Sequence, residues 1–286
     1  MTAAHLFDLD AYLKRIRFSG TAAPTLDTLK EIQARHPTAI TFENLDSLTG
    51  RVPSLTLADV QRKLVTGGRG GYCFEQNLLL RHALGAIGFR VAGLSARVLW
   101  NVPAGPTPPR SHMVLRIDLE GDTYIADVGF GGMTMTAPMR LAAAPVQETP
   151  HGPYRLVPTE DSHRLDAQIG DQWHPLYVFD QVEQTSTDYE VGNWYVATHP
   201  ASLFVTTLIC ARTDTGRRYA LRDTELSIHH TAGPSERHHL DTPEALRDVL
   251  EGTFNLNLAG LDDLDARLAA VCAKSSAPWP DPATAA

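Results

Sequence analysis

Cysteine is scarce in this chain of 286 residues: there are three, Cys73, Cys210 and Cys272, odd in number and far apart. That spacing argues against a disulfide framework and fits a reduced, cytoplasmic chain. Positive charge is in deficit, with 25 Lys and Arg against 33 Asp and Glu, a net charge of -8 and no basic run. A nucleic-acid partner is thereby disfavoured, because phosphate binding needs clustered cations. No apolar run approaches the length of a membrane span, and Met1–Asp8 lacks the charged and apolar regions of a signal peptide. None of the usual zinc-ligand spacings occurs, so no metal is expected. Gly129-Phe130-Gly131-Gly132 matches neither dinucleotide nor Walker spacing, and there is no internal repeat. The content is otherwise ordinary for a globular protein, 43% apolar and 20% charged, and long enough for two or three modest domains.

The first ninety residues carry helical periodicity. Leu6, Leu9, Leu13 and Ile16 share a face that Asp8 can cap. Thr25 precedes Leu26, Leu29 and Ile32, with Pro37 as the stop, and Thr56 precedes Leu57, Val60 and Leu64, with Gly67-Gly68 as the stop. A fourth helix follows Cys73, with Phe74, Leu78, Leu84 and Ile87 on one face and Gly88 as its end. From Phe89 the period becomes two. Strands are expected over 90–100, 112–117 and 123–128, then around 154–157, 163–169 and 173–179, an antiparallel sheet or small barrel. The Pro-rich run 101–111 can only be a loop. The stretch 187–202 is ambiguous. Residues 203–211 and 217–221 suggest a hairpin, and helices follow at 243–250 and 261–271. The tail after Lys274 is rich in Pro, Ala and Ser. The fold class is α+β.

Chemistry concentrates at Arg69-Gly70-Gly71-Tyr72-Cys73-Phe74-Glu75-Gln76-Asn77. Glycines let other groups approach the backbone closely, and Cys73 falls in the first turn of a helix, where free amides and the dipole favour an anion. Such a setting lowers a thiol pKa and makes the reactive thiolate; on this segment alone, an inert buried cysteine is an equally good reading. A nucleophilic thiol needs a base, and the base needs an orienting partner. Twelve histidines make any single one uninformative. His112 begins a strand straight after a Pro-rich loop, and Asp127 ends the neighbouring strand in an apolar setting where an unpaired carboxylate is costly. His112 lies nine residues before Gly121 and Asp127 six after it. An irregular turn or a bulge would have to bring them together. His229-His230 and His238-His239 read as surface or packing residues.

The segment around Cys73, together with Thr41-Phe42-Glu43-Asn44-Leu45, Ser111-His112-Met113, Asp127-Val128-Gly129-Phe130-Gly131, Asn193-Trp194-Tyr195 and His199-Pro200-Ala201-Ser202-Leu203-Phe204, resembles the arylamine N-acetyltransferase family over roughly 9–258. Thr41 departs from the commoner proline before Phe-Glu-Asn. The resemblance implies a helical bundle over 1–90, a β-barrel over 91–200 and an α/β lid over 201–286, related to papain-like cysteine enzymes and transglutaminases. It implies a triad of Cys73, His112 and Asp127, acetyl-CoA as co-substrate, and an arylamine or arylhydrazine acceptor. Phe42, Phe130 and Phe204 resemble the family's acceptor lining; core packing is their other reading. The Gly129, Gly131 and Gly132 loop is where CoA pantetheine would pass the backbone. Arg69 and Glu43 either pair to brace the cysteine loop or stand as solvated charges. Some family members instead close amides on polyketide products, and the same triad serves cysteine peptidases.

Overall fold

Asp8 starts helix α1 (Leu9–Arg15) by accepting from the Ala11 N–H at 2.9 Å, and Thr25 starts α2 (Leu26–Ala39) by accepting from Thr28 at 3.3 Å. The computed structural model describes residues 7–102, 105–142 and 146–274; the tail after Lys274 lies outside them. Contrary to the expected stop, α2 continues past Pro37. Pro37 gives up one N–H bond, but the buried His36 and Pro37 anchor the last turn and Ile40 N still reaches His36 O at 2.8 Å. A two-residue strand β1 (Phe42–Glu43) and one turn, α3 (Leu45–Leu48), come next. Thr56 caps α4 (Leu57–Gln61), which widens into a π-helical turn over Arg62–Thr66. Then comes α5 (Cys73–Ile87), closed by Gly88 at φ 110°.

The face expected on α5 was too narrow. Phe74 and Leu84 are buried, but so are Leu79, Leu80 and Ala83, and the polar Glu75, Gln76 and Asn77. From Cys73 to Leu80 it is buried nearly all round, as a helix inside a protein is, while Gly85 and Ala86 near its end are exposed; α5 packs against helices α1 and α4 and against a sheet.

That sheet is antiparallel: β2 (Arg90–Val98), β3 (Arg110–Leu119), β4 (Asp122–Ala126), β5 (Met139–Arg140), β6 (Val146–Thr149), β7 (Gly152–Pro158), β8 (His163–Ile169) and β9 (Gln172–Glu183). They lie in the order β5-β4-β3-β2-β9-β8-β7-β6. The two edges meet through one side chain: Gln147 accepts from Arg140 N at 2.8 Å and donates to Arg140 O at 2.9 Å, nearly closing a barrel. Alternation along β3 serves two cores. Met113, Leu115 and Ile117 join the helical core around α5, while Val114 faces the barrel interior with Ile125, Leu165 and Tyr177.

The ambiguous stretch is a thirteen-residue helix, α6 (Ser186–Thr198). Residues expected to begin a strand form a helical turn, α7 (Leu203–Thr206), because Ser202 caps it by accepting from Phe204 N at 3.3 Å. β10 (Ile209–Asp214), β11 (Arg217–Arg222), β12 (Glu225–His230) and β13 (Glu236–His239) follow, then α8 (Pro243–Gly252) and α9 (Leu264–Ala273). The second sheet runs β1-β10-β11-β12-β13. Its helices cover it with Leu246, Leu250, Phe254, Leu264 and Leu268, which are fully or almost fully buried. Each such side chain contributes roughly 1.5–3 kcal/mol of burial. The fold class is α+β, as the sequence reading had it. Among the described residues, no helix is long and apolar enough to cross a membrane.

Candidate active site

Cys73 is the first residue of α5, and the three polar residues one turn on fix it from three directions. Successive helical positions are about 100° apart, so Glu75, Gln76 and Asn77 reach different parts of the chain. Glu75 accepts from Tyr72 N at 3.2 Å and from Lys63 at 2.7 Å. Gln76 donates to Thr41 O and Gly71 O at 2.8 and 3.1 Å. Asn77 donates to Met113 O at 2.8 Å and to Asp127 Oδ1 at 2.9 Å, and accepts from Val128 N at 3.1 Å. The segment before Cys73 is held just as tightly. Arg69 binds Glu43 through Nε at 2.9 Å and Nη2 at 2.7 Å, and also reaches Asp46, which pairs with Lys63 at 2.6 Å. Arg69 and Glu43 are therefore a buried bracing pair within a larger charge network. Burial alone would lower both cations, yet the carboxylates around them hold Lys63 and Arg69 above their ordinary values. Burial pushes Glu75 up to about 7, with Lys63 opposing it.

His112 donates through Nε2 to Asp127 Oδ2 at 2.8 Å. Both side chains are buried, with Asp127 fully so. Asp127 Oδ1 accepts from Asn77 and, at 2.8 Å, from Gly129 N. The Cys73 sulfur is a neighbour of the imidazole and helps to raise its proton affinity; with Nε2 committed to Asp127, Nδ1 is the nitrogen left for it. Cys73 Sγ also lies 3.7 Å from Ser111 O. The pairing of His112 with Asp127 needs no bulge in their hairpin. Glu120 and Gly121, both at positive φ, form a two-residue turn, and the register runs regularly from Leu119↔Asp122 to Leu115↔Ala126. The next pair would be Val114 with Asp127, so His112 sits two residues farther along on the same face, a diagonal contact. An irregularity nearby lies between β2 and β3, where Ala96 pairs with His112 and Arg97 with Arg110, leaving Ser111 extra.

Burial would strip the charge from His112, but the Asp127 carboxylate and the Cys73 sulfur raise it to about 10. Burial likewise opposes the Asp127 charge. His112, Asn77 and the Gly129 amide outweigh it and bring the carboxyl below its ordinary value. Phe130 meets the His112 ring edge-on at 5.1 Å and Tyr177 packs on it at 5.0 Å, excluding water.

These groups open into a cleft of about 860 Å³ lined by Cys73, His112, Phe42, Phe130 and Phe204. Phe42 is also part of the helical core and meets Phe204 at 6.0 Å. Phe42 thus lines the cleft and packs in the core at once. The glycine loop forms the floor. Gly131 has φ 63°, a conformation that suits glycine. Gly132 presents its carbonyl to Arg218 at 3.3 Å. A Cβ on Gly129 would stand 2.7 Å from Cys73 Cα and 3.0 Å from Asn77 Nδ2. Gly129→Ala is therefore expected to push α5 away from Asp127 and cost at least about a hundredfold in activity, since a shift near 1 Å has that effect. Steady-state kinetics of the folded variant check it. His229 and His230, read as surface or packing residues, line the cleft from β12. Among the described residues no three His, Cys, Asp or Glu side chains are grouped to hold a metal ion.

A family model described as N-acetyltransferase matches residues 25–263. The arylamine N-acetyltransferase of Mycolicibacterium smegmatis is 43% identical over 270 residues, covering 92% of this chain and 98% of that protein. This chain belongs to the arylamine N-acetyltransferase family. The Escherichia coli (strain K12) member is 39% identical, over 89% of this chain and 90% of its own. The structure of the Mycobacterium marinum arylamine N-acetyltransferase in complex with CoA superposes with a TM-score of 0.89 at 42% identity, covering 93% of this chain and 100% of that one. Within this family setting, sequence reading assigned no role to Asn77 or Tyr177. Asn77 had a signal, a polar residue one turn after Cys73 on its own helix. Tyr177 had none, since its approach to His112 arises only when β9 closes against β2.

Proposed function

We propose that this chain transfers an acetyl group from acetyl-CoA to an arylamine or arylhydrazine, through a thioester on Cys73. The observation that carries this reading is His112, held at 2.8 Å by Asp127 and neighbouring the Cys73 sulfur, at the mouth of an aromatic cleft. Asp127 orients the ring, and an imidazolium beside the sulfur favours the thiolate. The thiolate adds to the carbonyl carbon of acetyl-CoA. Backbone amides at the start of α5 face the developing oxyanion, an effect of roughly 3–4 kcal/mol per donor. The tetrahedral adduct collapses, the C–S bond to CoA breaks, and the CoA sulfur leaves as the thiol with the His112 proton. The amine then attacks the acetyl-cysteine, His112 takes its proton, and the amide departs as Cys73 is regenerated. Residues 1–90 supply the nucleophile, 91–200 the imidazole and carboxylate, and 201–286 the lid.

Phe42, Phe130 and Phe204 give a flat apolar acceptor its walls. Gly129, Gly131 and Gly132 let the pantetheine arm lie against the backbone; the Gly129 N–H is already spent on Asp127, so that contact is one of shape. Arg218, Arg222 and Arg237 line the same cleft from the lid sheet and supply positive charge for the CoA phosphates. The reaction belongs in the cytoplasm, where Cys73, Cys210 and Cys272, all free, stay reduced. Mass spectrometry after mixing with acetyl-CoA is the test: one acetyl group mapped to Cys73 is expected, discharged by an arylamine. No adduct, or an adduct elsewhere, would sink the reading.

A further inference from the structure

A second buried histidine reaches the cysteine helix from behind. Tyr12, His36 and Gln76 are all fully buried, one each on α1, α2 and α5. Tyr12 OH lies 2.9 Å from His36 Nδ1, and His36 Nε2 lies 2.6 Å from Gln76 Oε1. The direction of each bond follows from the far end. Thr41 O and Gly71 O only accept, so they consume both hydrogens of the Gln76 amide nitrogen. Gln76 Oε1 must then accept, His36 Nε2 must carry the hydrogen, and Nδ1 must receive the Tyr12 hydroxyl. Every hydrogen-bonding atom of the three side chains that joins them has one role. Burial holds His36 down to about 4, which keeps the ring neutral as this arrangement requires.

The two carbonyls at the end of this chain belong to the backbone that carries the nucleophile. Thr41 O also accepts from Gly71 N at 3.3 Å, and Gly71 O from Glu43 N at 3.1 Å. The Gln76 amide thus caps both rungs of a narrow ladder between β1 and the turn that leads into Cys73. Gly70 lies so close that a Cβ there would be 2.0 Å from Thr41 O. On one side of the ladder is Phe42 of the cleft wall; on the other, two residues on, is Cys73.

We propose that His36 is a positioning residue for acetyl transfer: its Nε2–H fixes the Gln76 amide, and that amide fixes the backbone that aims Cys73 at His112. The proposal rests on Cys73 being the acetyl carrier. Neither His36 nor Gln76 touches substrate; their effect is on the geometry of the first step. A bond that only stabilised the fold would change the melting temperature and leave the chemistry of folded protein alone.

The test uses the full chain with His36→Leu, His36→Gln and Gln76→Met. Single-turnover acetylation of Cys73, the KM for acetyl-CoA, and the pH profile of Cys73 alkylation by iodoacetamide are measured on folded protein. His36→Leu and Gln76→Met are expected to slow acetylation about tenfold to hundredfold, with KM little changed and the alkylation midpoint displaced to higher pH. His36→Gln retains a donor and an acceptor and is expected to recover most of the rate. A folded His36→Leu with wild-type acetylation and an unmoved alkylation profile overturns the proposal, whatever its melting temperature. If His36→Leu does not fold, Gln76→Met decides in the same way. Absence of any acetyl on Cys73 in the wild type would instead defeat the function reading, while the alkylation profile would still report on the relay.

Discussion

Cys73→Ser is expected to lower acetyl transfer by about 10⁴-fold or more, as loss of a covalent nucleophile does, with the melting temperature nearly unchanged. The stability half follows from how little holds the sulfur. Its one hydrogen-bond contact with the backbone is the 3.7 Å approach to Ser111 O, and the first turn of α5 is fixed by Glu75, Gln76 and Asn77 instead. The activity half follows from acidity. A serine hydroxyl does not ionise beside an imidazolium as a thiol does. The variant thus lacks the preformed nucleophile. The other cysteines do not substitute. Cys210 also lines the cleft, but full burial pushes its thiol well above the ordinary value, and Cys272 lies in α9, among the helices that cover the second sheet. Acetyl-CoA hydrolysis and arylamine acetylation, measured beside thermal unfolding, check both halves. A Ser variant within tenfold of wild type would remove Cys73 from the reaction.

Much of this site was legible because its parts are local. Glycines, then Cys73, then a helical period states a helix start, and Asp8, Thr25 and Thr56 state caps by chemistry that needs no tertiary partner. The barrel strands were readable from alternation. What escaped was set by contacts distant in sequence. Glu75, Gln76 and Asn77 stand in the segment singled out around Cys73, but nothing local says that all three are buried; they are, because Lys63, Thr41 and Asp127 satisfy them. β12 offers only Leu226 and Ile228 as alternating apolar residues and β13 offers none; backbone pairing of β12 to β11, and of β13 to β12, makes them strands. Leu203–Thr206 looked extended by composition and is helical because of a cap at Ser202. The His112–Asp127 contact shows the same limit at finer scale. Counting from the turn placed the two residues out of direct register, which is right, but a diagonal reach of long side chains closes the distance without distorting the hairpin.

Asp127→Asn tests the tautomer that the site depends on, and the surrounding bonds dictate which way the new amide must point. Asp127 Oδ1 accepts from Asn77 Nδ2 and from Gly129 N, both of which only donate. An asparagine must keep its oxygen there, so its NH₂ faces His112 Nε2. His112 Nε2 then has to accept, and the ring hydrogen moves to Nδ1, the nitrogen on the Cys73 side. An imidazole in that tautomer cannot take a proton from the thiol or from the incoming amine, and a loss of about 10⁴-fold in kcat is expected by comparison with other triads. Substrate binding is not touched, so KM should move far less. Stability changes with a definite sign. Because Asp127 raises His112 to about 10 in the folded protein, the pair's contribution is fully present below the unfolded histidine pKa, about 6.5, and is lost as pH rises through 10. On the acid side it is lost as pH falls through the lowered Asp127 value. The Asn variant should therefore show its largest stability deficit in mildly acidic solution, with the deficit shrinking toward pH 10. Denaturant unfolding of both proteins across that range measures it. A deficit that grows with pH would mean the 2.8 Å contact is not an ion pair, and that His112 works as a neutral base from the outset.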